Sequence, residues 1–191
     1  MQSRQVLGIG IVLILVTVGL LVVYLATMPS NDHDDNEEQT TPKDVDLLEY
    51  NITLPETRWV MTDGQDLYPS DLLGKWTIVD FMATWCGPCE AFNSDLKQLH
   101  DTYGDSINLI SLTVTMSETL GMLEDYKDDN NITWRIGQDY GENWQNTASE
   151  FIGVRYIPTP IIIDPDGILR WMHEGIWAFV DMNEVLTSLM G

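Results

Sequence analysis

The sequence predicts an α/β fold, a mixed central sheet flanked by helices, and three observations carry that prediction. Short apolar runs rich in β-branched residues alternate with stretches of helical period, the pattern of strands layered against helices. A turn signal, Asp164-Pro165-Asp166-Gly167, joins two such runs into a hairpin near the end of the chain. The length, 191 residues, suits one domain of ordinary size plus an N-terminal extension, and two full domains do not fit.

The extension comes first. Residues 6–28 read VLGIGIVLILVTVGLLVVYLATM without a charge, and a bilayer-spanning helix requires roughly 20 such positions. A cleaved signal peptide competes with this reading, since Arg4 precedes the run and Ala26 lies near its end. The run is longer than a signal core of about 7 to 15 residues, and no small-x-small cleavage site follows, so a retained transmembrane anchor is expected. Arg4 lies before it and an acidic stretch without Lys or Arg after it. The positive-inside rule then places residues 1–5 in the cytoplasm and the bulk of the chain outside it. Residues 29–46 are polar, acidic and Pro-containing, an expected flexible tether without a fold. His33 stands there among Asp32, Asp34 and Asp35, a loose attraction for a cation or simply a solvated tether.

Within residues 47–191, Trp76 to Met82 reads as a buried strand. Glu90 to Tyr103 carries Phe92, Leu96, Leu99 and Tyr103 on one helical stripe and stops at Gly104. Ile107 to Val114 is a second strand and Glu118 to Asn130 a second helix. An irregular segment holding Trp134 and Trp144 follows, then a short helix over about 147–151. The strands Ile161 to Asp164 and Ile168 to Met172 flank the hairpin turn, and Val180 to Met190 closes the chain as a helix. No internal repeat or low-complexity block is visible.

Charge narrows the function. Thirty acidic residues against nine basic ones give a net charge of −21. That balance argues against a phosphate-tracking surface, so nucleic acid is excluded as an expected partner. The acidic residues are spread along the chain and keep it dispersed; a salty or acidic exterior would suit the same composition. Asn51-Ile52-Thr53 and Asn131-Ile132-Thr133 have the form of glycosylation acceptors, a form that also arises by chance on an Asn-rich surface.

The two cysteines, Cys86 and Cys89, are the only ones, too few for a disulfide scaffold. They fall directly after a predicted strand and at the start of a predicted helix. There the unpaired N–H groups of the first turn and the positive end of the helix dipole stabilise a thiolate. A thiolate is the nucleophile of thiol-disulfide exchange. Cys86 is therefore expected to attack, and Cys89, one turn on along the same face, to resolve the mixed disulfide. Pro88 is tolerated in the first turn and stiffens the loop between the sulfurs. Half of a zinc site is the alternative for a Cys-x-x-Cys pair, but His33, His100 and His173 are the only histidines and none is paired at ligand spacing. Two thiolates suffice for Cu(I), with His173 as a further ligand, so copper carriage stays open.

Val79 to Cys89, VDFMATWCGPC, resembles the active-site strand and loop of thioredoxins, and Ile157-Pro158-Thr159 resembles their second signature, the cis-proline loop. The resemblance runs from about residue 48 to the end. Its finer form is the TlpA/ResA type, membrane-tethered thioredoxin-like reductants outside the cytoplasm, some of which serve cytochrome c maturation. Asp63-Gly64-Gln65 and Leu72 to Lys75 match that type's N-terminal hairpin, residues from about 115 to 148 its central insertion, and Ala148 to Arg155 the segment before its proline.

The resemblance implies a thioredoxin fold, a redox-active Cys86–Cys89 disulfide and no other cofactor or metal. It implies a cis bond before Pro158, with the Ile157 backbone offered to an extended client strand. Asp80 matches the buried carboxylate that takes the proton of the resolving thiol, its pKa raised by desolvation; many TlpA-type chains carry Asn there. Glu118 resembles a glutamate held near the ResA active site, although a glutamate at a helix start is common for dipole reasons alone. Trp85 is expected to shield the thiol pair, and together with Gly87, Pro88, Ile157 and Pro158 to line the client site. The implied partners are protein disulfides or dithiols and a membrane-embedded thiol donor. Gly-Pro between the cysteines favours a reductant, near the thioredoxin potential of about −270 mV, over an oxidant near about −120 mV. A disulfide oxidase or isomerase is the second enzymatic reading, and a non-enzymatic copper-binding protein the third.

Overall fold

Eight strands form one sheet in the computed structural model, which describes residues 50–140 and 147–191. In chain order they are β1 (Ile52–Thr53), β2 (Arg58–Met61), β3 (Asp66–Leu67), β4 (Thr77–Met82), β5 (Asn108–Thr113), β6 (Arg135–Tyr140), β7 (Thr159–Ile163) and β8 (Ile168–Met172). The helices are α1 (Gly87–Tyr103), α2 (Leu120–Asp129), α3 (Ala148–Ile152) and α4 (Phe179–Met190). All described residues belong to one unit, Asp46–Gly191. The expected anchor over 6–28, the tether over 29–46 and Trp144 lie outside the described residues. Among the described residues, no helix is long and apolar enough to cross a membrane.

The sheet runs in the order β1-β8-β7-β4-β5-β6-β2-β3. Its centre is β4, all six residues of which are buried, parallel to β5 on one side and antiparallel to β7 on the other. A strand buried on both faces needs apolar side chains in both directions, and Thr77-Ile-Val-Asp-Phe-Met supplies them at every position but Thr77 and Asp80. Because side chains alternate, Ile78 and Met82 join the cluster beneath the helices, with Phe92, Leu96, Leu99, Leu123 and Leu186. Val79 and Phe81 join the opposite cluster with Ile110, Leu112, Ile161, Ile163 and Trp59.

The predicted helices are present with shifted starts. The one expected from Glu90 begins at Gly87, because Cys86 caps it. The one expected from Glu118 begins at Leu120, because Thr119 Oγ1 accepts the Met122 N–H at 3.3 Å. The hairpin expected from Asp63-Gly64-Gln65 is the β2–β3 pair. Gly64 takes φ 78° at its tip, and the Gln65 N–H donates to Asp63 Oδ1 at 2.9 Å. At the β7–β8 turn Asp164 Oδ1 accepts the N–H groups of Asp166 and Ile168, both at 2.9 Å.

One element corrects the sequence expectation. Residues 135–140, expected to be irregular, are strand β6, parallel to β5 and antiparallel to β2. Arg-Ile-Gly-Gln-Asp-Tyr lacks a strand's usual apolar content, yet Ile136 through Asp139 are buried. Gly137 permits the close approach of β2, since a Cβ there would lie 2.6 Å from both Val60 O and Met61 Sδ.

Candidate active site

The β4–α1 junction brings the cysteines together. Cys86 is the cap residue of α1, in extended conformation, and its Sγ accepts the Cys89 N–H at 3.2 Å. Pro88 lies in the first helical turn, where no intrahelical acceptor is lost. The sulfurs form a disulfide with Cα atoms 5.2 Å apart. Cys86 is 5% exposed and Cys89 1%. Both residues are buried, with Cys86 the slightly more accessible of the two. Once reduced, a Cys86 thiolate would receive the same N–H donor and the helix dipole.

Across from the pair lies the loop before β7. The Ile157–Pro158 bond is cis, as expected, and Ile157 O stands 3.8 Å from Cys86 Sγ. That loop is held from both ends. The Gly175 N–H donates to Pro158 O at 2.8 Å, and Thr159 Oγ1 to Tyr156 O at 2.6 Å. Trp85 is 70% exposed, with Nε1 donating to Thr115 Oγ1 at 3.3 Å, and Gly87 and Pro88 are exposed beside it. Sequence reasoning did not single out Tyr156 and Met116, two further exposed apolar residues that share with Trp85 and Ile157 an open cleft of about 570 Å³. The place of Tyr156, next to Ile157-Pro158, was the available signal.

Asp80 lies within β4, the strand that leads into the cysteine loop. Its alternation with Ile78 and Met82 turns the carboxyl toward the face that α1 covers, and it is 1% exposed. Oδ2 accepts a long hydrogen bond from Ser111 Oγ at 3.4 Å, while Oδ1 is buried without a partner. Desolvation pushes the pKa up to about 7, against a smaller opposing effect of the Ser111 hydroxyl. A carboxylate with one vacant oxygen and such a pKa is suited to accept a proton near neutrality.

Glu118 is 2% exposed and serves the loop that carries the cysteines. Its Oε1 accepts from the Thr84 N–H at 2.8 Å and from Thr84 Oγ1 at 2.6 Å, and its Oε2 accepts from Thr113 Oγ1. It therefore ties the segment two residues before Cys86 to the end of β5. Gln138, unremarked in the sequence, fixes Glu118 in turn by donating its side-chain N–H to the Glu118 carbonyl.

Among the described residues, the two histidines lie apart from any such arrangement. His100 contacts Thr133 and tilts against Trp134, and the His173 ring stacks on Trp177 with centroids 5.3 Å apart. Among the described residues, no three His, Cys, Asp or Glu side chains converge into a metal-holding cluster.

Comparison with known proteins agrees with this geometry. Over 124 residues the chain is 25% identical to the thioredoxin-like protein YneN of Bacillus subtilis, spanning 64% of this chain and 70% of that one. Over 112 residues it is 29% identical to the thiol-disulfide oxidoreductase ResA of Bacillus anthracis, spanning 57% of this chain and 61% of the relative. A solved thiol:disulfide interchange protein of the thioredoxin family, from Chlorobium tepidum, superposes with a TM-score of 0.60 at 23% identity, covering 73% of this chain and 98% of that one. The family model described as Thioredoxin-like matches residues 74–169, which include β4, both cysteines, Asp80, Glu118 and Pro158. The chain belongs to the thioredoxin-like family.

Proposed function

We propose that this protein is a thiol-disulfide oxidoreductase that reduces disulfides of protein clients outside the cytoplasm. The observation that carries the reading is the Cys86–Cys89 disulfide at the first turn of α1, with Ile157 O facing Cys86 at 3.8 Å. A nucleophile at a helix tip, a second sulfur in the interior and a backbone edge beside them are the parts that exchange requires.

In the reduced protein the Cys86 thiolate attacks a client disulfide. One client sulfur leaves as thiolate and the other stays bonded to Cys86. Cys89 then gives its proton to Asp80 and attacks Cys86 Sγ. The Cys86–client bond breaks, the second client thiolate leaves and takes up a proton, and two electrons have passed to the client. Glu118 holds Thr84, and with it the approach to Cys86, in place through this cycle. Trp85, Gly87, Pro88, Ile157 and Pro158 form the surface on which the client lies.

The apolar run over 6–28 is the membrane anchor in this reading and the acidic residues 29–46 are its tether, with residues 1–5 in the cytoplasm. A membrane-embedded thiol donor re-reduces the pair, and cytochrome c maturation is the setting that the resemblance to the TlpA/ResA type implies. The test is Cys89→Ser in the full chain. It is expected to accumulate client proteins disulfide-bonded to Cys86, and no trapped client means the exchange reading fails. Direction is tested by the redox potential, expected near about −270 mV; a value above about −150 mV makes the protein an oxidant instead.

A further inference from the structure

Asp80 is the group on which resolution by Cys89 turns in the exchange reading, and the side chain that donates to it is a neutral hydroxyl. Beside it in the sheet register stands Ser111, fully buried, on the parallel strand β5. Ser111 Oγ in turn accepts the indole N–H of Trp134 at 2.9 Å. Trp134 precedes β6 and is itself buried in the cluster that contains both cysteines.

Hydrogen inventory fixes the direction of this chain. An indole N–H can only donate, so Ser111 Oγ must be the acceptor there, and its single hydrogen is left for another partner. The partner within reach is Asp80 Oδ2, at 3.4 Å. Oδ1 remains without a partner, so a proton can enter and leave at Oδ1 while Oδ2 continues to accept from Ser111. Neither protonation state then requires the serine to turn over.

We propose that Ser111, oriented by the Trp134 indole, is a positioning residue that keeps a hydroxyl aimed at Asp80 Oδ2 and thereby holds Asp80 in service as the proton acceptor for Cys89. This rests on the exchange reading above.

The surroundings leave that task to a neutral donor. Facing the same interior are Cys86 at the cap of α1, Cys89 from α1, Glu118 before α2, and Tyr126 from α2, whose phenol burial pushes up to about 12, while Glu90 of α1 is exposed to solvent. β7 contributes Pro160 opposite Asp80, and the residues of α4 in the cluster, Met182, Val185 and Leu186, are apolar. Every charge in that set is negative or absent. A hydroxyl directed at the carboxylate favours its ionised form, so losing it must carry Asp80 further from the acceptor state at neutral pH.

The test uses the reduced full-length protein and a symmetrical aromatic disulfide whose thiolate is coloured, in single turnover between about pH 5 and 9. The first equivalent released reports Cys86, the second reports Cys89. The second phase is expected to rise with pH on a limb that Asp80→Asn removes. Ser111→Ala is expected to move that limb alkaline, slowing the second phase roughly threefold to tenfold at a pH on the limb while the first phase keeps its rate. Trp134→Phe should move it the same way by less, and Ser111→Thr, which keeps the hydroxyl, should restore it. On the Asp80→Asn background, Ser111→Ala should have no further effect. Should Ser111→Ala not fold by circular dichroism, Trp134→Phe and Ser111→Thr decide alone. A limb dependent on Asp80 but unmoved by loss of the Ser111 hydroxyl or the Trp134 N–H overturns the proposal and leaves the exchange reading standing. A limb indifferent to Asp80→Asn overturns the proposal together with the role of Asp80 as proton acceptor, while an absent second phase in the native protein overturns the exchange reading.

Discussion

The two sides of the central strands β4 and β5 differ in what they bury. On one face Val79, Phe81, Ile110, Leu112, Ile161 and Ile163 form a hydrocarbon layer. On the other, the alternate positions of β4 and β5 include Asp80, Ser111 and Thr113, all buried, and the disulfide lies on that side. A buried polar group costs free energy unless it is paired, and a buried charge costs more. The two sets of side chains should therefore respond differently to substitution.

The largest contrast pairs Phe81 with Asp80. Phe81 is fully buried in the hydrocarbon layer, so Phe81→Ala is expected to lower unfolding free energy by about 3–5 kcal/mol in urea titration. Its protonation behaviour in exchange should stay that of the native protein. At Asp80 the stability effect has the opposite sign above neutral pH. The folded-state pKa is raised from 3.8 to about 7, so below pH 4 the carboxyl is protonated in both states and has no ionisation cost. As pH rises from about 4 to about 7 the unfolded chain releases the proton and the folded one retains it. Stability falls across that window by roughly 4 kcal/mol and then levels off. Asp80→Asn should flatten this dependence, leaving the variant at least as stable as the native chain at pH 8. It should also slow the Cys89 step about a hundredfold. Urea titrations at pH 4 and pH 8 check the first statement. A stability difference in the native protein that Asp80→Asn leaves intact contradicts it.

The same contrast governs how much was legible in the sequence. Strands β4, β5, β7 and β8 announce themselves through runs such as Ile161-Ile162-Ile163, and α1 through the stripe Phe92, Leu96, Leu99, because apolar burial leaves a local pattern. The active pair is legible for another local reason, since Cys86 and Cys89 lie at a strand-to-helix junction. The β2–β3 hairpin was legible through family resemblance. Strand β6 was not, because its buried residues are satisfied from far along the chain. Gln138 bonds the carbonyl of Glu118, and Asp139 accepts from Trp59 Nε1, Ala148 N and Ser149 N. Burial pushes the Asp139 pKa up, against the hydrogen bonds from Ser149, Ala148 and Trp59. The Trp134–Ser111–Asp80 chain escaped for the same reason. A polar residue in a sequence does not reveal whether a distant partner will pay its desolvation.

Glu118 sharpens the comparison at intermediate size, because it is a buried polar group with every acceptor used. Glu118→Ala leaves the Thr84 N–H, the Thr84 hydroxyl and the Thr113 hydroxyl without their acceptor. A loss of about 1–3 kcal/mol is expected, roughly 2–12 °C in Tm for a chain of this size. Amide hydrogen exchange should localise it, with faster exchange at Thr84 and no change along Ile161 to Ile163. Equal loosening of the hydrocarbon face would mean that Glu118 serves the whole fold rather than the loop before the cysteines.

Trp85 brings the smallest effect on stability and isolates the surface above both faces. With 70% of the residue exposed, its removal takes little apolar area out of burial, so Trp85→Ala should shift unfolding free energy by no more than about 0.5 kcal/mol. In the proposed exchange it offers contact area to a client beside Cys86, from a cleft it shares with Met116, Tyr156 and Ile157. Exposed aromatic area held ready in the free protein is released from water when a partner covers it. KM for a protein disulfide should therefore rise about threefold to tenfold, while single-turnover attack on a small aromatic disulfide is nearly unchanged. The two substrates separate contact from chemistry. If Trp85→Ala slows both equally, the indole acts on the Cys86 thiolate itself, and its hydrogen bond to Thr115 becomes part of the loop that presents the sulfur.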